Sequence, residues 1–225
     1  MVQTTIDDGV CVLTLNRPDQ RNALTRAALR DLESAVESAA EPVVYLHGAG
    51  EAFCAGADLD TVKALDAKDA KEFAALGQRV ARTLEAYEGA VVAGIDGAAR
   101  GGGVELALAC DIRVATPDAT LAETGVKLGL FGAWGGTARL PEVVGAGEAL
   151  DIALSGRTLD AETALRTGLV SRITEEPRAV ADELAAVDTD ALRVLKERMR
   201  DNADRETKER REQTAFAELV ASVEL

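Results

Sequence analysis

The chain has 225 residues, 47% of them hydrophobic, and a formal net charge of -14. That length builds one domain, or one with a short appendage, around a sizeable core. The acidity argues against a nucleic-acid partner, and no apolar run approaches a membrane span, so the composition predicts a soluble protein without membrane contact.

Met1 to Thr5 has neither the basic start nor the apolar run of a signal peptide. Cys11, Cys54 and Cys110 are scattered, with no metal spacing and no even-numbered disulfide pattern, which predicts a reducing, cytoplasmic setting. Arginine outnumbers lysine 19 to 6, beside 39 Asp and Glu. This balance fits a high-salt cytoplasm, where screening removes self-repulsion, and fits an ordinary acidic bacterial protein as well.

Val10 to Leu15 reads as a strand entering the turn Asn16-Arg17-Pro18-Asp19. Thr25 to Ala40 has helical spacing at Leu29, Leu32 and Val36, with Thr25 as N-cap. Val43 to Leu46 is a second buried strand, and the single histidine, His47, ends it as a packed residue rather than a catalytic one. Thr61 to Tyr87 is predicted mostly helical, with Val62, Leu65, Phe73, Leu76, Val80 and Leu84 on one face. Val91 to Ile95 is a third strand, Val104 to Cys110 a buried helix, and Ile112 to Ala115 a fourth strand. A glycine-rich stretch runs from Gly125 to Gly136. Helices follow over Ala146 to Ser155 and Ala161 to Thr167, the latter ending at Gly168, and then a short strand over Leu169 to Ile173. Residues 178–225 read as charged amphipathic helices. Strands alternating with helices indicate an α/β fold.

Two small-residue loops stand out: Ala52-Phe53-Cys54-Ala55-Gly56-Ala57-Asp58 and Gly101-Gly102-Gly103-Val104-Glu105. Small residues let a ligand approach the backbone, and N–H groups at such turns stabilise negative charge on an oxygen. A carboxylate three residues after Gly102 is placed for proton transfer beside that oxygen. The stretch Gly132 to Thr137 lacks the Lys-Ser/Thr ending of a phosphate-binding P-loop, and neither glycine stretch has dinucleotide-binding spacing. Few His and dispersed Cys speak against a protein-bound transition metal, so no metal site is expected.

The order Leu15 to Leu24, Ala52 to Leu59, Gly101 to Asp111, Gly135 to Leu140 and Gly168-Leu169-Val170 closely resembles the enoyl-CoA hydratase/isomerase family, the crotonase superfamily. The resemblance covers about residues 5–174 and continues loosely beyond. It implies an α/β crotonase-like spiral of β-β-α turns (residues 1–174) and a helical C-terminal trimerisation region (residues 175–225) that is shorter than usual. It also implies a homo-oligomer, a trimer or dimer of trimers. The implied substrate is an acyl-CoA thioester, with CoA as part of the substrate and no separate cofactor. By position, the N–H groups of Ala57 and Gly102 would hold the thioester oxygen, and Glu105 would activate water. The same motifs place Ala23, Ala55 and Asp58 along the CoA. Arg21 is the candidate phosphate contact and Lys63 a weaker one, either of which is equally a solvated surface cation. Phe131 and Trp134 are placed at the acyl pocket. Phe73, Leu76 and Val80 either line it or pack in the core, and Trp134 either closes over the ligand or plugs a subunit contact.

One position departs from the resemblance: Gly125 stands where hydratases carry a second glutamate. Glu123 is the nearest alternative acid. On an extended segment it would lie on the same face as residue 125, displaced by roughly 6–7 Å. With one carboxylate, Glu105 could perform both proton steps, or the reaction could be a 3,2-enoyl shift. Glu123-Thr124-Gly125 also resembles a segment of dihydroxynaphthoyl-CoA synthases, although the aspartate of their following loop is Gly132 here. The dehalogenase variant is set aside because Ala133 stands where its nucleophilic aspartate would be. A CoA-thioester-binding protein without catalysis is the alternative of another class.

Overall fold

A computed structural model describes residues 1–222. Its main sheet has six strands in the order β1 (Val2–Asp7), β2 (Val10–Leu15), β3 (Val43–Gly48), β4 (Ala90–Ile95), β6 (Ile112–Ala115) and β9 (Arg172–Ile173). β1 and β2 form an antiparallel hairpin, and every later pair is parallel. A second sheet joins β5 (Ala98–Arg100), β7 (Thr120–Ala122) and β8 (Leu159–Asp160).

Alternation along β2 explains the layers. Cys11, Leu13 and Leu15 join the large core with α1 (Arg26–Ser38) and α3 (Ala67–Ala86). Val10 and Val12 face the other way, into a smaller cluster with Tyr45, Val92 and Val114. Val180 and Ala181 of α8 (Arg178–Ala185) cover that cluster. Both sheet faces are therefore covered, as parallel strands require. α4 (Gly102–Ala109) is buried on every side between the sheets. α9 (Thr189–Met199) and α10 (Arg205–Ser222) have no buried residue, and Met199 and Phe216 are exposed.

The helix expected over Thr61 to Tyr87 is two helices, α2 (Leu59–Lys63) and α3. Asp66 causes the break: its side chain accepts the Asp69 N–H at 2.7 Å and starts a new helix. The strand expected over Leu169 to Ile173 shrinks to β9, because Val170 N–H bonds back to Ala164 rather than into a ladder. The glycine-rich stretch yields an unexpected helix, α5 (Gly136–Val144). α6 (Ala146–Ser155) and α7 (Ala161–Arg166) lie where their periodicity places them. Thr25 caps α1 as expected. His47 lies within β3, bonded to Thr14 and stacked on Tyr45.

The Asp66 cap fixes where α3 begins, and α3 presents Phe73 to the site. Asp66→Ala is expected to cost about 1 kcal/mol, read as a lower urea midpoint at unchanged slope.

Candidate active site

The two small-residue loops meet at one cavity of about 180 Å³, lined by Ala55, Gly56, Ala57, Gly101, Gly102 and Glu105. Leu59, Val62, Leu65 and Phe73 form one apolar wall, and Leu128, Leu130 and Phe131 the other. The loop carrying Ala57 is held through Asn22, which is 1% exposed and has a left-handed backbone, φ +58°. Asn22 Nδ2 donates to the carbonyls of Ala52 (2.7 Å) and Ala49 (2.9 Å), while its Oδ1 accepts the Arg17 N–H. Leu24 N–H bonds Gly56, and Asp58 N–H bonds Leu24, so Ala57 lies between two fixed peptides. Among the described residues, the N–H groups of Ala57 and Gly102 have no hydrogen-bond acceptor. Both are free to donate to one ligand oxygen, and Gly102 also starts α4, where the helix dipole is positive.

Glu105 is 2% exposed. Its Oε1 accepts two backbone N–H bonds, from Trp134 (2.8 Å) and Gly136 (2.7 Å) at the start of α5. Burial raises its pKa above the ordinary carboxylate value, and the two N–H bonds oppose that rise. Close approach excludes side chains around it: a Cβ on Gly132 would lie 2.8 Å from the Glu105 carboxyl carbon, and one on Gly136 2.9 Å from Oε1. A buried carboxylate of raised pKa beside two free donors can accept a proton from water while a neighbouring oxygen takes up charge.

Glu123 lies elsewhere. The chain is not extended through residue 125: β7 ends at Ala122, and a 3-10 turn over Thr124–Leu128 follows. The same-face expectation for residues 123 and 125 therefore fails. Glu123 does not line the first cavity; it lines a second, apolar cavity of about 460 Å³ with Leu140, Leu150 and Leu154, and Gly125 borders both. Between the two cavities runs the turn closed by the Leu130 N–H donating to the Gly125 carbonyl at 2.9 Å. Glu123 is 7% exposed, and among the described residues its Oε1 has no hydrogen-bond partner. Burial, with the Glu105 charge second, pushes its pKa up to about 8.

The remaining candidates are dispersed around the cavity mouth. Ala55 lines it. The Ala23 carbonyl accepts Arg17 at 2.6 Å. Asp58 caps α2 and pairs with Arg17 at 3.2 Å; the Thr61 N–H is the main cause of its lowered pKa. Lys63 is exposed and paired with Asp60. Arg21 is exposed, and its charge lies close enough to Arg100 to help lower the pKa of that guanidinium, after burial. Phe131 is 71% exposed at the rim, while Trp134 is 3% exposed. Trp134 faces inward, edge-on to Phe73, so it does not plug a surface contact. Leu76 and Val80 pack in the core and do not line the cavity. Sequence reasoning missed Asn22, Arg100 and the Trp134–Gly136 clamp on Glu105. For Asn22 the available signal was its place in a turn, where asparagine tolerates left-handed backbone. Among the described residues, no group of three or more His, Cys, Asp or Glu could hold a metal ion, and no helix is long and apolar enough to cross a membrane.

The family model for enoyl-CoA hydratase/isomerase matches residues 5–222. The chain belongs to the enoyl-CoA hydratase/isomerase family. It is 38% identical to a crotonyl-CoA hydratase of Syntrophomonas wolfei, over 75% of this chain and 67% of the relative. It is 39% identical to a short-chain-enoyl-CoA hydratase of Clostridium acetobutylicum, over 74% of this chain and 66% of the relative. The chain thus spans about two thirds of the length of these curated relatives. The crystal structure of an enoyl-CoA hydratase from Bacillus anthracis superposes with a TM-score of 0.92 at 32% identity, covering 98% of this chain and 91% of that one. A candidate enoyl-CoA hydratase from Thermobifida fusca, solved in complex with acetoacetyl-CoA, gives 0.90 at 31% identity, covering 99% and 95%. The α/β architecture is that of this family's crotonase-like fold.

Glu123 makes a pH prediction. Its pKa is near 8 when folded and near 4.5 otherwise. Between those values the unfolded chain binds fewer protons than the folded one, so stability falls as pH rises. Glu123→Gln removes this slope, which is at most about 1.4 kcal/mol per pH unit. The melting temperature of the variant, relative to wild type, is expected to be at least about 4 °C more favourable at pH 8 than at pH 5. A difference independent of pH would mean that the carboxyl is solvated.

Proposed function

We propose that this chain is an enoyl-CoA hydratase, adding water across the double bond of a 2-enoyl-CoA. The observation that carries this reading is the convergence of two unpartnered amides, Ala57 and Gly102, with the buried Glu105 carboxylate at one cavity. The family membership and the names of its relatives support it.

In this reading the thioester oxygen sits between the Ala57 and Gly102 N–H groups. Glu105 takes a proton as water attacks C3, and charge moves to the thioester oxygen as an enolate. Amides fixed beforehand stabilise that charge without reorganising. The proton on Glu105 then passes to C2, which completes the addition. Glu123 acts at one remove: protonated up to about pH 8, it keeps a second negative charge away from the enolate. CoA is part of the substrate, and the reaction uses no separate cofactor. The CoA phosphates lie near Arg21, with Arg100 reinforcing the positive field. Ala23, Ala55 and Asp58 shape the entry, and Phe131 covers the acyl end. A homo-oligomer, trimer or dimer of trimers, would cover the exposed Leu195, Met199, Phe216 and Val220 of α9 and α10.

One observation favours a second reading. Among the described residues, Glu105 is the only carboxylate lining the first cavity, and a single base shuttling a proton suffices for a 3,2-enoyl-CoA isomerase.

The test is a product assay on crotonyl-CoA with mass identification, at low and multimolar KCl because of the acidic surface. Gain of one water, with kcat lowered about 10²–10⁴-fold in Glu105→Gln, is the expected result. Without water gain at either salt, a double-bond shift on a 3-enoyl-CoA would identify the isomerase. Glu123→Gln is expected to keep most activity below pH 7 and to lose any alkaline limb near pH 8. A kcat loss in Glu123→Gln as large as that of Glu105→Gln would instead make Glu123 the direct acid.

A further inference from the structure

We propose that Trp134 sets the acyl-chain length this site accepts, closing the cavity floor so that a short, straight 2-enoyl chain fits and a long one does not. The inference rests on the acyl-CoA reading above and adds its substrate class.

The indole lies where the cavity would otherwise continue into the protein. Trp134 lines the cavity, is 3% exposed, and meets Phe73 edge-on at 5.6 Å between ring centroids. Its ring passes between α3 and α4 at two positions that lack side chains. A Cβ on Gly77 would lie 2.1 Å from the ring, and one on Gly102 2.2 Å. The ring therefore fills the space between the two helices directly beneath the Gly102 amide. Trp134 itself belongs to the large buried core.

The floor is also fixed. Trp134 N–H donates to Glu105 Oε1 at 2.8 Å, and its carbonyl accepts Arg139 at 3.3 Å. Gln78 of α3 donates to the neighbouring Ala133 carbonyl at 2.9 Å. These bonds fix the backbone that carries the indole, and the ring itself is confined by Phe73 and by its close fit over Gly77 and Gly102. A cavity of about 180 Å³ ending on a tightly packed ring selects by length, and one excess methylene against an apolar wall is worth ~10-fold or more in kcat/KM.

The experiment compares kcat/KM for crotonyl-CoA and 2-decenoyl-CoA in wild type, Trp134→Phe and Trp134→Ala. Wild type is expected to favour crotonyl-CoA by ~10-fold or more, and Trp134→Ala to shift the ratio towards 2-decenoyl-CoA by a similar factor. Trp134→Phe should fall between and serves if the alanine variant does not fold. A wild-type preference for 2-decenoyl-CoA, or an equal loss on both substrates in the folded variants, overturns the proposal. A second readout needs no turnover. Trp134 is the only tryptophan, so its fluorescence reports occupancy of the floor. Butyryl-CoA should change it at concentrations where decanoyl-CoA does not. That pattern in a protein that hydrates no enoyl-CoA would remove the hydratase reading and leave the length inference standing. Equal responses to both thioesters would remove the length inference.

Discussion

The site depends on how one buried carboxylate is held. Glu105 projects from the first turn of α4, and the chain returns some thirty residues later to bind its Oε1 with two peptide N–H groups. A charge this buried is costly unless it is hydrogen-bonded. Those two bonds therefore do double duty: they offset desolvation and fix the direction of the remaining oxygen. The start of α5 has to be placed accurately for this, and ion pairs place it. Arg139 of α5 grips Glu85 of α3 through two nitrogens. Arg200, just past α9, reaches both Glu85 and Asp111. The position of the base is thus tied to chain segments as far apart as residues 85 and 200.

The opposite half of the cavity is fixed without ion pairs at its centre. Asn22 bonds both strands of its loop to the carbonyls around Ala52, and Arg17 closes the outside by bonding Ala23 and Asp58. Apart from the Arg17–Asp58 pair, these are side-chain-to-backbone bonds, which set the direction of peptides rather than merely attract charges. An amide that must point at one oxygen needs that kind of support. It also explains why so acidic a chain can carry a site for a thioester. The donors are neutral peptides, and local geometry decides their potential more than the net charge of -14 does.

What was legible in the sequence follows from range. Ala57, Gly102 and Glu105 sit in contiguous motifs, so their meeting at one cavity could be read from short stretches of sequence. The buried strands over 10–15, 43–46, 91–95 and 112–115 are short apolar runs that any period reveals. β1 escaped because it is an edge strand whose residues from Gln3 to Asp7 are exposed and mixed. The second sheet escaped because its strands have two or three residues. α5 hid behind Gly135, Gly136 and Pro141, although proline at that point in the helix is tolerated here. The clamp on Glu105 and the knot at Asn22 are contacts between distant segments, which no local pattern encodes. The placement of Glu123 turned on a 3-10 turn beginning one residue later, and a shift of that kind moves a side chain from one cavity to the next.

The contrast between the two glutamates gives the site its chemistry. Both are buried, so desolvation pushes both pKa values up. Glu105 has two N–H donors and Glu123 Oε1 has none, so environment separates them. Each also raises the cost of ionising the other. When only one negative charge is present, it rests on the better-solvated partner, which is Glu105. In the proposed hydration that asymmetry matters most at the enolate, when a further negative charge forms at the oxygen between Ala57 and Gly102. By then Glu105 has been neutralised by the water proton, and Glu123 is neutral already. The enolate then meets two amides and no opposing carboxylate.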